Sequence, residues 1–227
     1  MDQCPSMGLP DGEVTCSAPG KVILFGEHAV VHGTTAIAAS LSDCRMMCRV
    51  KWIEQAHLEI HLLDFIESGE VSPLQVPCST LRELVPHRPT VSPMTPFNPL
   101  EGDLSLLKSH LQYSPASMAD GIYAICFLVT CIFPEIVFPV KDDVSDKRGG
   151  LRIDVKSMQL PIGAGLGSSA AFSVALSGAL LRLRAISFKD LPPFLDGSSA
   201  SAHTSSTYSP SELILDLVNK WAYGISF

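Results

Sequence analysis

The chain is short of charge, and it lacks the concentrated basicity that nucleic-acid binding needs. Of its 227 residues 17% are charged, with 16 Lys plus Arg against 23 Asp plus Glu and a formal net charge of −7. Basic residues cluster no more closely than in pairs such as Arg182 with Arg184, too little for a phosphate-backbone footprint, so no nucleic-acid partner is expected. The seven cysteines (Cys4, Cys16, Cys44, Cys48, Cys78, Cys126, Cys131) include no C-x-x-C pair, and no nearby histidine completes zinc-ligand spacing. They read as reduced, mostly buried thiols of an intracellular protein. Met1–Glu13 carries Asp2, Pro5, Pro10 and Asp11, so it has neither a secretory apolar region nor an arginine-rich transit helix. The most lipid-like stretch is a short one. Ile122–Phe133 is stopped by Pro134 and Glu135, and as a helix it would rise about 18 Å, short of the roughly 20 residues a bilayer needs. A soluble, cytoplasmic protein with no membrane partner is expected. What is plentiful is apolar: 46% of residues are hydrophobic, enough for a buried core and the reverse of a disordered composition.

Strand and helix signals alternate along the chain. Val14–Val31 reads as strand, turn, strand, with Val22–Phe25 as a β-prone run bracketed by Pro19-Gly20 and Gly26. Ala36–Leu41 and Cys48–Leu63 read as further strands; in the second, Leu58, Ile60 and Leu62 alternate with Glu59 and His61. Pro86–Gly102 holds Pro86, Pro89, Pro93, Pro96 and Pro99, which no helix or central strand tolerates, so a surface loop is expected. Leu104–Leu111 and Met118–Phe133 carry helix-compatible apolar runs, the second buried all round. Lys141–Gly150 reads as a charged turn and Leu151–Val155 as a half-buried strand. A glycine-rich turn follows at Gly163–Gly167, then the strongest helix, Ser168 to about Arg184, with Arg182 and Arg184 as cations in its last turn. Asp196–Ser211 is rich in Ser and Thr and reads as a loop. Ser209-Pro210 then opens a helix through Leu213–Ala222.

Two segments carry chemistry. Leu160-Pro-Ile-Gly-Ala-Gly-Leu-Gly-Ser-Ser-Ala-Ala171 places glycines at alternate positions before a helix. Such a turn lets backbone amides approach an anion, and the helix start offers unpaired N–H groups and the positive dipole end. Ser168 and Ser169 add hydroxyls that could cap the helix, touch phosphate or hold magnesium. No lysine follows Gly167, so this is no Walker A loop; the Rossmann glycine spacing is missing as well. Glycine content alone leaves an ordinary turn with an N-cap serine equally open. In the second segment, Ala18–Gly33, Lys21, Glu27 and His28 gather around a strand and its turn. That cluster could neutralise a phosphate, bind a carboxylate or orient a hydroxyl, or it could be a solvated turn.

Together these two segments closely resemble the first and second signatures of the GHMP small-molecule kinases. The wording of Ala18–Gly33 is similar to that of the mevalonate kinases within the superfamily; galactokinases typically begin Gly-Arg-x-Asn, and phosphomevalonate kinases typically lack the Glu-His pair. Asn219–Tyr223 also resembles a helix of the eukaryotic mevalonate kinases. The resemblance implies an α+β fold, the GHMP kinase N-terminal domain of the ribosomal protein S5 domain 2-like type, with a mixed sheet backed by helices and the C-terminal GHMP domain missing. The pattern alone supports only a mixture of strands and helices. Implied domains are a tail at 1–13, the GHMP domain at 14–195 with its proline-rich loop at 86–102, the Ser/Thr-rich loop at 196–211, and at 212–227 a truncated helix leading towards the missing domain.

The implied activity is ATP-dependent phosphorylation of mevalonate to 5-phosphomevalonate, in isoprenoid and sterol biosynthesis, with ATP and Mg²⁺ as cofactors. By resemblance the ATP phosphates are wrapped by Gly163, Ala164, Gly165, Leu166, Gly167, Ser168 and Ser169, with Ser169 contributing to magnesium coordination. Lys21 matches a catalytic lysine beside the transferred phosphate, Glu27 and His28 match the mevalonate pocket, and Asp64 falls near the nucleotide base. The family is compatible with a homodimer of the full-length protein. The chain departs from the family after Tyr223. The second, acidic metal ligand, the Gly-x-Pro-Ser-Gly-x-Asp stretch with its general base and the third glycine-rich signature do not appear, and neither Asp190 nor Asp216 sits in a matching motif. A mevalonate kinase N-terminal half, inactive on its own, is the leading expectation. Another small-molecule GHMP kinase, and a non-catalytic fragment that binds nucleotide or pairs with a full-length subunit, remain the alternatives.

Overall fold

Alternating apolar and polar residues along five strands build one sheet with a dry face and a wet face. The computed structural model describes residues 12–29, 32–84, 116–138 and 149–188. Its elements run β1 (Glu13–Phe25), β2 (Ile37–Ile53), β3 (His57–Leu62), α1 (Leu63–Glu67), β4 (Leu74–Pro77), α2 (Cys78–Leu84), α3 (Ala116–Ile132), α4 (Pro134–Val137), β5 (Gly150–Met158) and α5 (Ser168–Phe188). The sheet order is β1-β2-β5-β3-β4. β3 and β5 are parallel and the other neighbours antiparallel, which makes the sheet mixed, as expected.

Val14, Ala18, Met46, Cys48, Val50, Leu58, Ile60, Leu151, Ile153 and Val155 share the dry face and are buried. α5 packs across β1 and β2 on that side, and α3 packs on α5. α5 has the length and apolarity of a bilayer span, but its Ala171, Ala175, Leu176, Ala179, Leu180 and Leu183 are buried in this core. The opposite face carries a charge network on the intervening residues, in which Asp154 and His61 are buried. Arg152 donates from Nε to Asp154 at 2.9 Å, and His61 Nε2 lies 3.0 Å from Glu59. That contact with His61 holds the Glu59 carboxyl below its ordinary range.

Several sequence expectations need correction. Val14–Val31 is not strand, turn, strand: Pro19-Gly20 interrupts nothing, because β1 runs through it as an edge strand with a register shift opposite β2. An edge strand tolerates proline, and a bulge absorbs the irregularity. Ala36–Leu41 and Cys48–Leu63 likewise do not form two separate strands at those bounds. β2 is continuous from Ile37 to Ile53, and the break falls later, at Glu54–Ala56. α5 ends at Phe188, a turn beyond Arg184, so Arg182 and Arg184 are not in its last turn. Arg184 is buried instead, donating to the Ile132 carbonyl and, at 3.0 Å, to Glu135. The helix read at Met118–Phe133 is α3, which ends one residue earlier, at Ile132, and the strand at Leu151–Val155 is present within β5. The expectations for Pro86–Gly102, Leu104–Leu111, Asp196–Ser211 and Leu213–Ala222, and most of Lys141–Gly150, lie outside the described residues.

The six described cysteines are free thiols, and Cys48, Cys78, Cys126 and Cys131 are buried. Burial pushes the Cys126 thiol up to about 12 and that of Cys78 up to about 11, and raises Cys48 as well. These three are expected to resist a thiol-specific reagent at about pH 8 in the native protein and to react on unfolding. Rapid labelling of the native protein at Cys48 or Cys126 would contradict this packing.

Candidate functional site

The site forms where the loop after β5 folds back over the edge of β1. Gly163, Gly165 and Gly167 hold positive φ of 78°, 75° and 72°. The first turn of α5 closes with the Ala171 amide donating to the Gly167 carbonyl at 3.0 Å. Gly167, not a serine, therefore holds the capping position, and Ser168 and Ser169 sit in the first turn with their hydroxyls not spent on a cap. The loop is fastened to β1 by the Lys21 amide, which donates to the Leu166 carbonyl at 2.9 Å.

Two glycines make this approach possible. A Cβ on Gly20 would stand 2.5 Å from Leu160 Cδ1 and 2.8 Å from the Leu166 oxygen. One on Gly167 would stand 2.6 Å from Lys21 Cγ. The Lys21 stem thus lies along the loop.

A cleft of about 370 Å³ is lined by Lys21, Val22, Ile23, Glu27, Gly163, Gly165, Gly167, Ser168 and Ser169. Neither Lys21 nor Glu27 has an ion-pair partner among the described residues. The cleft therefore holds a cation and a carboxylate, Lys21 and Glu27, neither in an ion pair among the described residues, beside the N-terminal end of a 21-residue helix, where the dipole favours an anion. Ala164 belongs to the same exposed loop. His28 lies in the turn after β1, exposed and outside the cleft lining.

Asp64 also stands apart from it: its Oδ2 accepts the Ser157 amide at 2.7 Å and anchors α1 to β5. Its neighbours Leu62 and Phe65 line a second pocket of about 270 Å³, with Met46, Met118, Val155 and Phe172, and this pocket shares Ser168 and Ser169 with the first. No local motif announces that pocket, since Met46, Leu62, Phe65, Met118 and Phe172 come from five different elements.

Oxygen donors lining the first cleft are Glu27, Ser168 and Ser169, a hard set of the kind Mg²⁺ takes. The glycine cradle fits a polyphosphate: Cβ atoms built on Gly163 and Gly165 would meet nothing within 4 Å, so the loop's inner surface is open backbone.

The model of the GHMP kinases N terminal domain matches residues 135–207, which include β5, the glycine loop and α5. The chain is 30% identical over 212 residues to the mevalonate kinase of Homo sapiens, covering 91% of this chain and 46% of that protein. Against the mevalonate kinase of Arabidopsis thaliana it is 30% identical over 226 residues, covering 93% and 50%. The solved mevalonate kinase of Methanococcus jannaschii gives a TM-score of 0.47 at 19% identity, covering 93% of this chain and 48% of that one. The chain thus spans about half the length of the curated relatives it matches. By its family-model match, and by relatives along nine-tenths of its length, it belongs to the GHMP kinase superfamily.

Proposed function

We propose that this chain is the nucleotide-binding half of an ATP-dependent mevalonate kinase acting in the cytoplasm. One observation carries the reading: a lysine with no ion-pair partner among the described residues lies against a positive-φ glycine loop at the start of a long helix. Phosphoryl transfer asks the protein mainly for positioning and charge neutralisation, and this arrangement supplies both. Loop amides and the α5 dipole hold the phosphates, while Lys21 meets the charge that develops on the transferred group. Ser169 would hold Mg²⁺, which when bound neutralises phosphate charge, and we take Glu27, which lines the same cleft, as its acidic partner in place of the mevalonate-pocket role that the resemblance gives it. The apolar pocket that shares Ser168 and Ser169 suits a flat aromatic base. Mevalonate as the accepting alcohol rests on the names of the relatives.

Among the described residues Glu27 is the one carboxylate lining the phosphate cleft. It cannot both ligate a cation and take the proton of the accepting hydroxyl. On the described residues Glu27 is committed to the cation and Asp120 lines only the adjoining pocket, and the expected result is ATP binding with Mg²⁺ and no mevalonate-dependent ADP release. Release measured with mevalonate, galactose and homoserine in parallel tests this. Mevalonate turnover abolished by Ser169→Ala would show that the chain carries a complete site. Turnover of galactose or homoserine alone would overturn the choice of substrate.

A further inference from the structure

We propose that Arg45 is a positioning residue for the phosphate cleft, pinning the β1–β2 arm that carries Lys21 to the body of the sheet. The inference rests on the reading of that cleft as a phosphate site. β1 and β2 pair in register from Glu13↔Lys51 to Pro19↔Arg45, then resume at Gly20↔Leu41 and continue to Phe25↔Ile37. Ser42, Asp43 and Cys44 are therefore extra residues on β2, opposite the Pro19–Gly20 junction. On one side of this bulge the strands are held by burial, through Val14, Ala18, Met46, Cys48 and Val50. On the other side they are not: Leu24, Phe25 and Ile37 are 52%, 71% and 56% exposed. The arm's direction has to be set at the bulge, since little packing sets it beyond.

The Arg45 guanidinium sits at that point and closes it. Its Nε donates to Ser17 Oγ at 2.9 Å, Nη2 to the Ser17 carbonyl at 3.0 Å, and Nη1 to the Ser42 carbonyl at 3.3 Å. One side chain thus ties β1 just before the junction to the start of the β2 excursion. The Arg45 backbone also forms a parallel bridge with Gln159, which has a φ of 57°, the one positive value on a non-glycine among the described residues. Gln159 stands at the entrance to the glycine loop, and the loop returns to β1 through the Lys21 amide and Leu166. Arg45, Ser17, Lys21, Leu166 and Gln159 complete a closed circuit, and Arg45 is the member that touches both strand and loop entrance. A planar fork with several donors can hold these acceptors together; a lysine ammonium is a single point.

The experiment uses Arg45→Ala and Arg45→Lys in the 227-residue protein, with three readouts: backbone amide exchange by NMR, the Kd for ATP with Mg²⁺, and Tm. In the nucleotide-free protein, Arg45→Ala should speed exchange of the Lys21 amide by about tenfold or more, as loss of charge-assisted hydrogen bonds predicts. The amides of Val50, Ile153 and Leu176 should keep their rates. ATP affinity should fall by about tenfold, since small misplacements of a binding group are amplified in the site. Arg45→Lys should land between the two. If Arg45→Ala does not fold, Ser17→Ala removes one acceptor alone and should give the same selective change at Lys21. Unchanged Lys21 exchange, or a rise spread evenly over the sheet, overturns the proposal. Failure of the unaltered protein to bind ATP overturns the phosphate reading instead, and the exchange rates still decide whether Arg45 pins the arm.

Discussion

Gly167→Ala is expected to remove ATP binding from this chain, lowering affinity by at least about a hundredfold, because the added methyl displaces the cation from the cradle. Two independent costs meet at this residue. Its φ of +72° is one that L side chains rarely adopt, a strain of about 1–2 kcal/mol. Its Cβ would also lie 2.6 Å from Lys21 Cγ, so the lysine stem must leave the loop or the loop must leave β1. The first movement takes the ammonium out of the cradle, and the second breaks the hydrogen bond from the Lys21 amide to the Leu166 carbonyl that fastens loop to strand. Gly69→Ala separates the contributions, since Gly69 has a φ of +78° and nothing within 4 Å of its would-be Cβ. That variant should lose stability from strain alone and bind ATP as the unaltered protein does. Calorimetric titration and thermal melting measure both effects, and near-normal ATP affinity in Gly167→Ala would contradict the packing of Lys21 on the loop.

Phe133→Ala is expected to be the most damaging single truncation in the core, at about 3–5 kcal/mol. Phe133 is fully buried between α3 and α4. Its ring meets Trp52 edge-on, with centroids 5.3 Å apart and planes at 86°, and lies 6.2 Å from the Phe188 ring. The Arg184 guanidinium stands 5.9 Å from the same ring while donating to Glu135. Removing the ring opens a cavity and also unseats a buried cation. For a chain of this length the loss corresponds to a Tm lower by roughly 10 °C. Trp52 donates from Nε1 to Ser187 at 2.9 Å, so its fluorescence should report the loosening of β2 from the α5 end. Ile162→Ala, at a half-exposed residue, should leave Tm unchanged. A Phe133→Ala protein that melts within about 2 °C of the parent would contradict this account of the core.

Much of the fold could be read in the sequence because its periods are local. The alternation of Leu58, Ile60 and Leu62 with Glu59 and His61 is β3, and the all-round apolarity of Met118–Phe133 is the buried α3. Boundaries that depend on long-range partners were not legible. Pro19-Gly20 looks like a turn locally, and it is a bulge because β2 supplies three extra residues, Ser42–Cys44, opposite it. Arg184 looks like a C-terminal helix cation, and it is buried because Glu135, from another helix, neutralises it. The site divides in the same way. Lys21, Glu27 and the glycine loop, each conspicuous in the sequence, line one cleft. The apolar pocket beside them and the role of Arg45 arise from residues on separate elements, so no spacing along the chain could reveal either.

Amide exchange of the unaltered 227-residue protein, with and without ATP and Mg²⁺, tests the central claim most directly. The claim is that the glycine loop at the start of α5 cradles nucleotide phosphates beside Lys21. Saturating ATP should slow exchange at Gly163–Ser169, the loop and helix start that line the cleft, and at Lys21, with little change at the far end of the sheet around Ala56, Cys78 and Gly149. Lys21→Met should weaken the effect without moving it elsewhere. An unchanged loop, or protection centred on Cys78 and Arg82, would contradict the account.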